Sequence, residues 1–224
     1  EHYEFLKLLI EKNKTKVKIR YNTNLSTYEL KGYNAFELLQ HFENVFIIGS
    51  IDAMGSKGEY IRKGFDWNKA LEWLKICKSY LPQADYFVSA VYSLLNAEAA
   101  IVFHRFICEY DLFIRHNNER FAFYLNVLHG PSYLRTTALP KELKPQIEEK
   151  INNHLKWLED TQIKNYDYEN YVSHWKNAII LMNSGDETSL LKEFYSITRK
   201  LDVLRNESFE SVFPELHAYL KFYE

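Results

Sequence analysis

Helix-period and strand-period segments alternate four times over the first 125 residues of this chain. Tyr3–Ile10 places apolar residues at 5, 6, 9 and 10, a helical stripe. Val17–Tyr21 then alternates at period two and runs into turn formers. A short helix over Ala35–His41 precedes Val45-Phe-Ile-Ile-Gly49, an apolar run of the kind buried on both faces of a parallel sheet. Trp67–Leu81 carries Ala70, Leu74, Cys77 and Leu81 on one helical face and leads into the strand Tyr86–Tyr92. Ala99–Tyr110 leads likewise into Phe121–Leu125. Serial helix–strand units imply parallel strands joined by right-handed crossovers. The expected fold is therefore α/β, a partial (β/α) barrel of parallel strands with a helical C-terminal extension.

The carboxyl ends of these strands carry Asn22-Thr-Asn24, Ser50-Ile-Asp52, Ser93-Leu-Leu-Asn96 and Asn126-Val-Leu-His129. That edge is where α/β folds build ligand sites, so these residues are the first candidates. After Pro140 the pattern is helical throughout, over 142–160, 168–182, 187–204 and 213–222. The boundary is placed there, with residues 1–140 as the partial barrel and 141–224 as the extension.

Charge and cysteine content narrow the class. A net charge of −2 gives no basic field for nucleic acid or anionic lipid. The longest apolar run, around Ala99–Phe103, is far too short to span a bilayer. Two cysteines, Cys77 and Cys108, with no CxxC pair, fit a reducing compartment, and a cytoplasmic location is expected.

The stretch Phe46-Ile-Ile-Gly-Ser-Ile-Asp52, then Gly58-Glu-Tyr-Ile-Arg-Lys-Gly64 and Trp67, resembles radical S-adenosylmethionine proteins with a twitch-type C-terminal region. In that family a strand ending Ser-x-Asp precedes a loop with Glu-Tyr-x-Arg-x-Gly and a helix starting near a Trp. The tail Leu201–Phe209, then Phe213-Pro-Glu-Leu216, resembles the closing segment of such proteins. The family's CxxxCxxC loop, which holds a [4Fe-4S] cluster, and its Gly-Gly-Glu segment are absent. Both are expected to lie before residue 1, making the chain a fragment.

The resemblance implies an enzyme whose complete form cleaves S-adenosylmethionine at the cluster to a 5′-deoxyadenosyl radical, which then abstracts hydrogen from a substrate, a peptide or protein among the options. It implies Ser50 and Asp52 for the ribose region and Arg62 for the methionyl carboxylate, a group its donor fork suits. Asn22, Asn24 and Asn96 would complete the polar lining. Leu125 and Val127 would contact the adenine, with Asn126 and His129 on the substrate side. No catalytic residue is assigned and no metal ligand is expected within the chain.

Structural readings stand beside these. Ser and Asp at a strand end also make ordinary turns, asparagines favour such turns, and an isolated Arg reads as a surface ion pair. His104 and Cys108 share a helical face at i, i+4, but two ligands do not make a site, and a core His and Cys are the expectation. The contrasting functional reading is a cluster-free, non-catalytic barrel module that binds a nucleotide-like ligand or a protein partner.

Overall fold

A computed structural model describes residues 2–30, 32–109, 123–161 and 168–223. Helix α1 (His2–Glu11) leads into β1 (Lys18–Thr23), a small antiparallel hairpin of β2 (Glu29–Leu30) and β3 (Tyr33–Asn34), and α2 (Ala35–Leu39). There follow β4 (Asn44–Gly49), α3 (Gly55–Ile61), α4 (Trp67–Tyr80), β5 (Asp85–Tyr92), α5 (Ala99–Glu109) and β6 (Phe123–Val127). The remainder is helical: α6 (Lys144–Asp160), α7 (Tyr168–Met182), α8 (Leu191–Arg205), α9 (Phe209–Val212) and α10 (Pro214–Leu220).

The fold is α/β around a parallel sheet in the order β1-β4-β5-β6. Each strand is added on the same side of the last, with no reversal of direction. Side-chain alternation divides the sheet into two faces. Val45, Ile47, Tyr86, Val88, Ala90, Tyr92, Phe123 and Leu125 belong to the main core, which also takes in α1, α2, α4, α5 and the helices after residue 140. Full burial of a side chain such as Ile47 contributes about 1.5–3 kcal/mol. Phe46, Ile48 and Phe87, with Tyr124, form a smaller cluster on the second face.

Local chemistry accounts for the elements. Ala70, Leu74 and Cys77 turn the expected face of α4 inward, and Leu81 follows at its end. Asp66 caps that helix, accepting from the Lys69 amide at 3.0 Å. Pro145 and Pro214 occupy first-turn positions of α6 and α10, where a missing amide hydrogen costs nothing. The core runs unbroken from Leu6 to Leu220, across the boundary placed at 140.

One local expectation differs. The Gly58–Gly64 stretch, expected as a loop, is largely the helix α3. The hairpin β2–β3 and the one-turn α9 are too short to carry a period. Phe121, the expected start of the last strand, and Tyr110 lie outside the described residues.

Candidate functional site

The turn after β4 is built around Asp52. Its carboxylate takes both arms of Arg62, Nε to Oδ2 at 2.7 Å and Nη2 to Oδ1 at 3.2 Å. Oδ1 also accepts from the Val91 amide at 2.7 Å. Asn96, fully buried, donates to the Asp52 and Val91 carbonyls at 2.8 Å each, while its own carbonyl accepts from the Ser93 amide. Three of the predicted residues therefore hold one another and tie the end of β4 to the end of β5. Buried polar groups persist when satisfied in this way.

The rest of the 58–64 motif does comparable work. A side chain at Gly58 would stand 2.2 Å from the Ala53 carbonyl oxygen, so only glycine lets α3 lie this close to the strand-end turn. Glu59 accepts from the Trp67 amide, and Tyr60 donates to Asp202 of α8 at 2.7 Å. Gly64 takes φ +86°, the left-handed conformation that ends the segment. The tail is clamped here too. Asp202 accepts from the Phe209 amide, and Tyr60 packs edge-on against Phe213 at 5.3 Å between ring centres.

Beside this scaffold, on the second face of the sheet, lies a groove of about 360 Å³. Arg20 and Asn22 of β1, Ile48 and Ser50 at the end of β4, Ser89 of β5, and Tyr124 and Asn126 of β6 line it. Arg20, Asn22 and Asn126 are exposed, and Asn126 Nδ2 donates to Ser89 Oγ at 3.1 Å. Of the predicted residues, Asn22, Ser50 and Asn126 meet here. Arg20, Ser89 and Tyr124 escaped the sequence reading. The signal was there in strand alternation, since Arg20 shares its parity with Asn22, and Ser89 lies two residues from Phe87 on the same face.

The other predicted residues lie elsewhere. Asn24 is exposed and accepts from the Ser26 amide in a local turn. Leu125 is buried in the main core. Val127 and His129 line a separate groove of about 440 Å³ with Arg135, Thr137 and Glu187. In that groove Arg135 donates to the His129 carbonyl and pairs with Glu187 at 3.1 Å. Lys144, nearly buried, donates to the Thr137 and Gly185 carbonyls, which fastens the two loops together.

Of the i, i+4 pair on α5, His104 is fully buried and Cys108 is half-buried against the core. His104 Nδ1 lies 2.9 Å from His154 Nε2 of α6 and accepts the Trp175 indole hydrogen of α7 at 3.0 Å. Its ring also stacks on Phe123 with centres 4.3 Å apart. Burial holds His104 well below the usual imidazole range and His154 at about 4, so both rings are neutral at pH 7. Among the described residues no group of three or more histidines, cysteines or carboxylates is disposed to hold a metal ion.

The two cysteines do not fit an iron–sulfur cluster. Cys77 is buried beside the Tyr86 hydroxyl, and burial pushes both thiols up to about 12. The chain has no third cysteine, whereas a cluster needs several deprotonated, properly spaced thiolates. No helix among the described residues is long and apolar enough to cross a membrane. No family model, curated protein or solved structure matches the chain.

Proposed function

We propose that the chain is a module of the radical S-adenosylmethionine type that binds S-adenosylmethionine, or another nucleotide-like ligand, through Asn22, Ser50 and Asn126. The observation that carries this reading is the meeting of polar side chains from the ends of β1, β4 and β6 in one groove. Ligands of α/β sheets lie at the carboxyl ends of the strands. Amide and hydroxyl groups at fixed strand ends suit a ribose diol and a purine edge, which offer both donors and acceptors.

Strand order favours a barrel. Right-handed crossovers that add every strand on one side put their helices on one face, and such a sheet curls toward closure rather than reversing at a switch point. On this reading the second face is the barrel's interior. Asp52 and Arg62 act as positioning residues, because they bond to each other and Asp52 also holds the Val91 amide.

Reductive cleavage of the ligand needs thiolates that these residues do not supply, so no radical step is assigned to them. What the groove does is hold and orient a ligand. Isothermal titration of the whole chain with S-adenosylmethionine, S-adenosylhomocysteine and adenosine tests the reading. Saturable binding that weakens at least about tenfold, 1.4 kcal/mol, in Asn22→Ala and Asn126→Ala supports it. Absence of binding by all three compounds overturns it.

A further inference from the structure

The charge around the groove points to a ligand class of its own. Among the seven lining residues there is no carboxylate, and Arg20 stands exposed with no acidic partner among the described residues. Lys18, two residues earlier on β1, lies with Nζ 4.0 Å above the Phe46 ring, on the face that carries the small apolar cluster. By register the acidic residue nearest this face is Asp85, paired with Phe46 at the amino end of the sheet. It lies in the same cross-strand row as Arg20, two strands away, and is 1% exposed. Arg20 is the cation lining a cleft whose other walls are the hydroxyls of Ser50 and Ser89, the amides of Asn22 and Asn126, and the Tyr124 ring, with Lys18 outside it on the same face of β1.

We propose that this groove binds an organic anion, a phosphate or carboxylate compound, with Arg20 holding the anionic group and Asn22 and Ser89 completing its donor set. Guanidinium is the side chain best matched to either anion, since its fork donates two parallel hydrogen bonds. Arg20 has no hydrogen-bond or ion-pair partner among the described residues, whereas Asp52 holds two of the Arg62 donors. The inference goes beyond nucleotide-like binding. S-adenosylmethionine carries a sulfonium and an ammonium against one carboxylate, so a cationic end would not favour it over a phosphate-bearing compound. An anion held by Arg20 is instead the partner molecule bound alongside, or the charged arm of the nucleotide itself.

Titration of the ¹⁵N-labelled whole chain with pyrophosphate, malonate and S-adenosylmethionine, followed through the Asn22 and Asn126 side-chain amide signals, separates these cases. Pyrophosphate or malonate is expected to shift both signals at saturable concentration, which of the two binds tighter naming the anion. In Arg20→Gln the half-saturation point should rise at least tenfold, and Arg20→Lys should recover part of it. Arg20 is exposed at a sheet edge, so both variants should keep the wild-type circular dichroism and melting temperature. Binding of S-adenosylmethionine without either anion would overturn this inference and leave the proposed function standing. Anion binding that depends on Arg20, without S-adenosylmethionine, would support this inference and count against S-adenosylmethionine as the ligand. Anion shifts that persist unchanged in Arg20→Gln would also overturn it.

Discussion

Arg62 grips Asp52 at two points, with Nε 2.7 Å from Oδ2 and Nη2 3.2 Å from Oδ1, and this pair fixes the turn that carries Ser50. Asp52 is nearly buried while Arg62 is about one-third exposed, so water screens one side of the contact. Removing the acid leaves the Val91 amide without its acceptor and Arg62 without its anion. Asp52→Ala is therefore expected to cost about 2–3 kcal/mol, less than a wholly buried pair would. Arg62→Lys, which loses the fork but keeps the charge, should cost about 1 kcal/mol. Urea denaturation measures both, and a loss under about 0.5 kcal/mol for Asp52→Ala would show that the pair does not hold the turn.

Gly58 faces the Ala53 carbonyl so closely that a methyl group would meet backbone rather than a movable side chain. Gly58→Ala should destabilise the chain by about 1–3 kcal/mol, the scale of overpacking against a rigid neighbour. Gly185 has open space around it, and Gly185→Ala serves as the control. Equal melting temperatures for the two variants would contradict the packing described for α3.

Acid should unfold this protein partly through its core imidazoles. The folded state holds His154 near 4 against an ordinary 6.5, so the unfolded chain binds more protons between those values. Stability is then complete above about pH 6.5 and falls as the pH drops toward 4, by about 3 kcal/mol from His154 alone. His104 acts in the same direction. Denaturation curves from pH 7 to 4 should show this slope, and His154→Gln should flatten it. A slope unchanged by that substitution would place the titrating group elsewhere.

Both thiols should resist alkylation in the native state. At pH 8 a thiol raised to about 12 is ionised roughly a thousandfold less than an ordinary cysteine. Iodoacetamide labelling followed by mass spectrometry should find Cys77 and Cys108 unmodified until denaturant is added. Incubation with ferrous iron and sulfide should likewise give no absorbance band near 400 nm attributable to a cluster. Rapid native labelling, or such a band, would contradict the packing described for the two thiols.

Much of the architecture was legible because it is written in periodicity. The apolar run Val45–Gly49 could only be a strand buried on both sides, and Ala70, Leu74 and Cys77 could only face a core. The Gly58–Gly64 segment was harder, since its glycines suggest a loop. What decides the outcome is a tertiary approach to Ala53 that no local pattern records. The site was legible only in part. Strand ends could be found, but whether a polar residue there meets a ligand or a neighbour depends on partners distant in sequence. Asp52 and Asn96 are 44 residues apart and bonded, whereas Asn22 and Asn126 come from opposite edge strands onto one groove. Arg20 was passed over because it lies within the strand Val17–Tyr21, short of the carboxyl end where the candidates were sought.

The central claim is that a nucleotide-like ligand lies across the strand ends of β1, β4 and β6. Mapping backbone amide shifts while S-adenosylmethionine is added to the labelled chain tests it most directly. The account predicts saturable shifts at Asn22, Ser50 and Asn126, with little change at His129, Arg135 and Glu187. Shifts confined to that second set would move the site to the other groove, and an unchanged spectrum would contradict the claim outright.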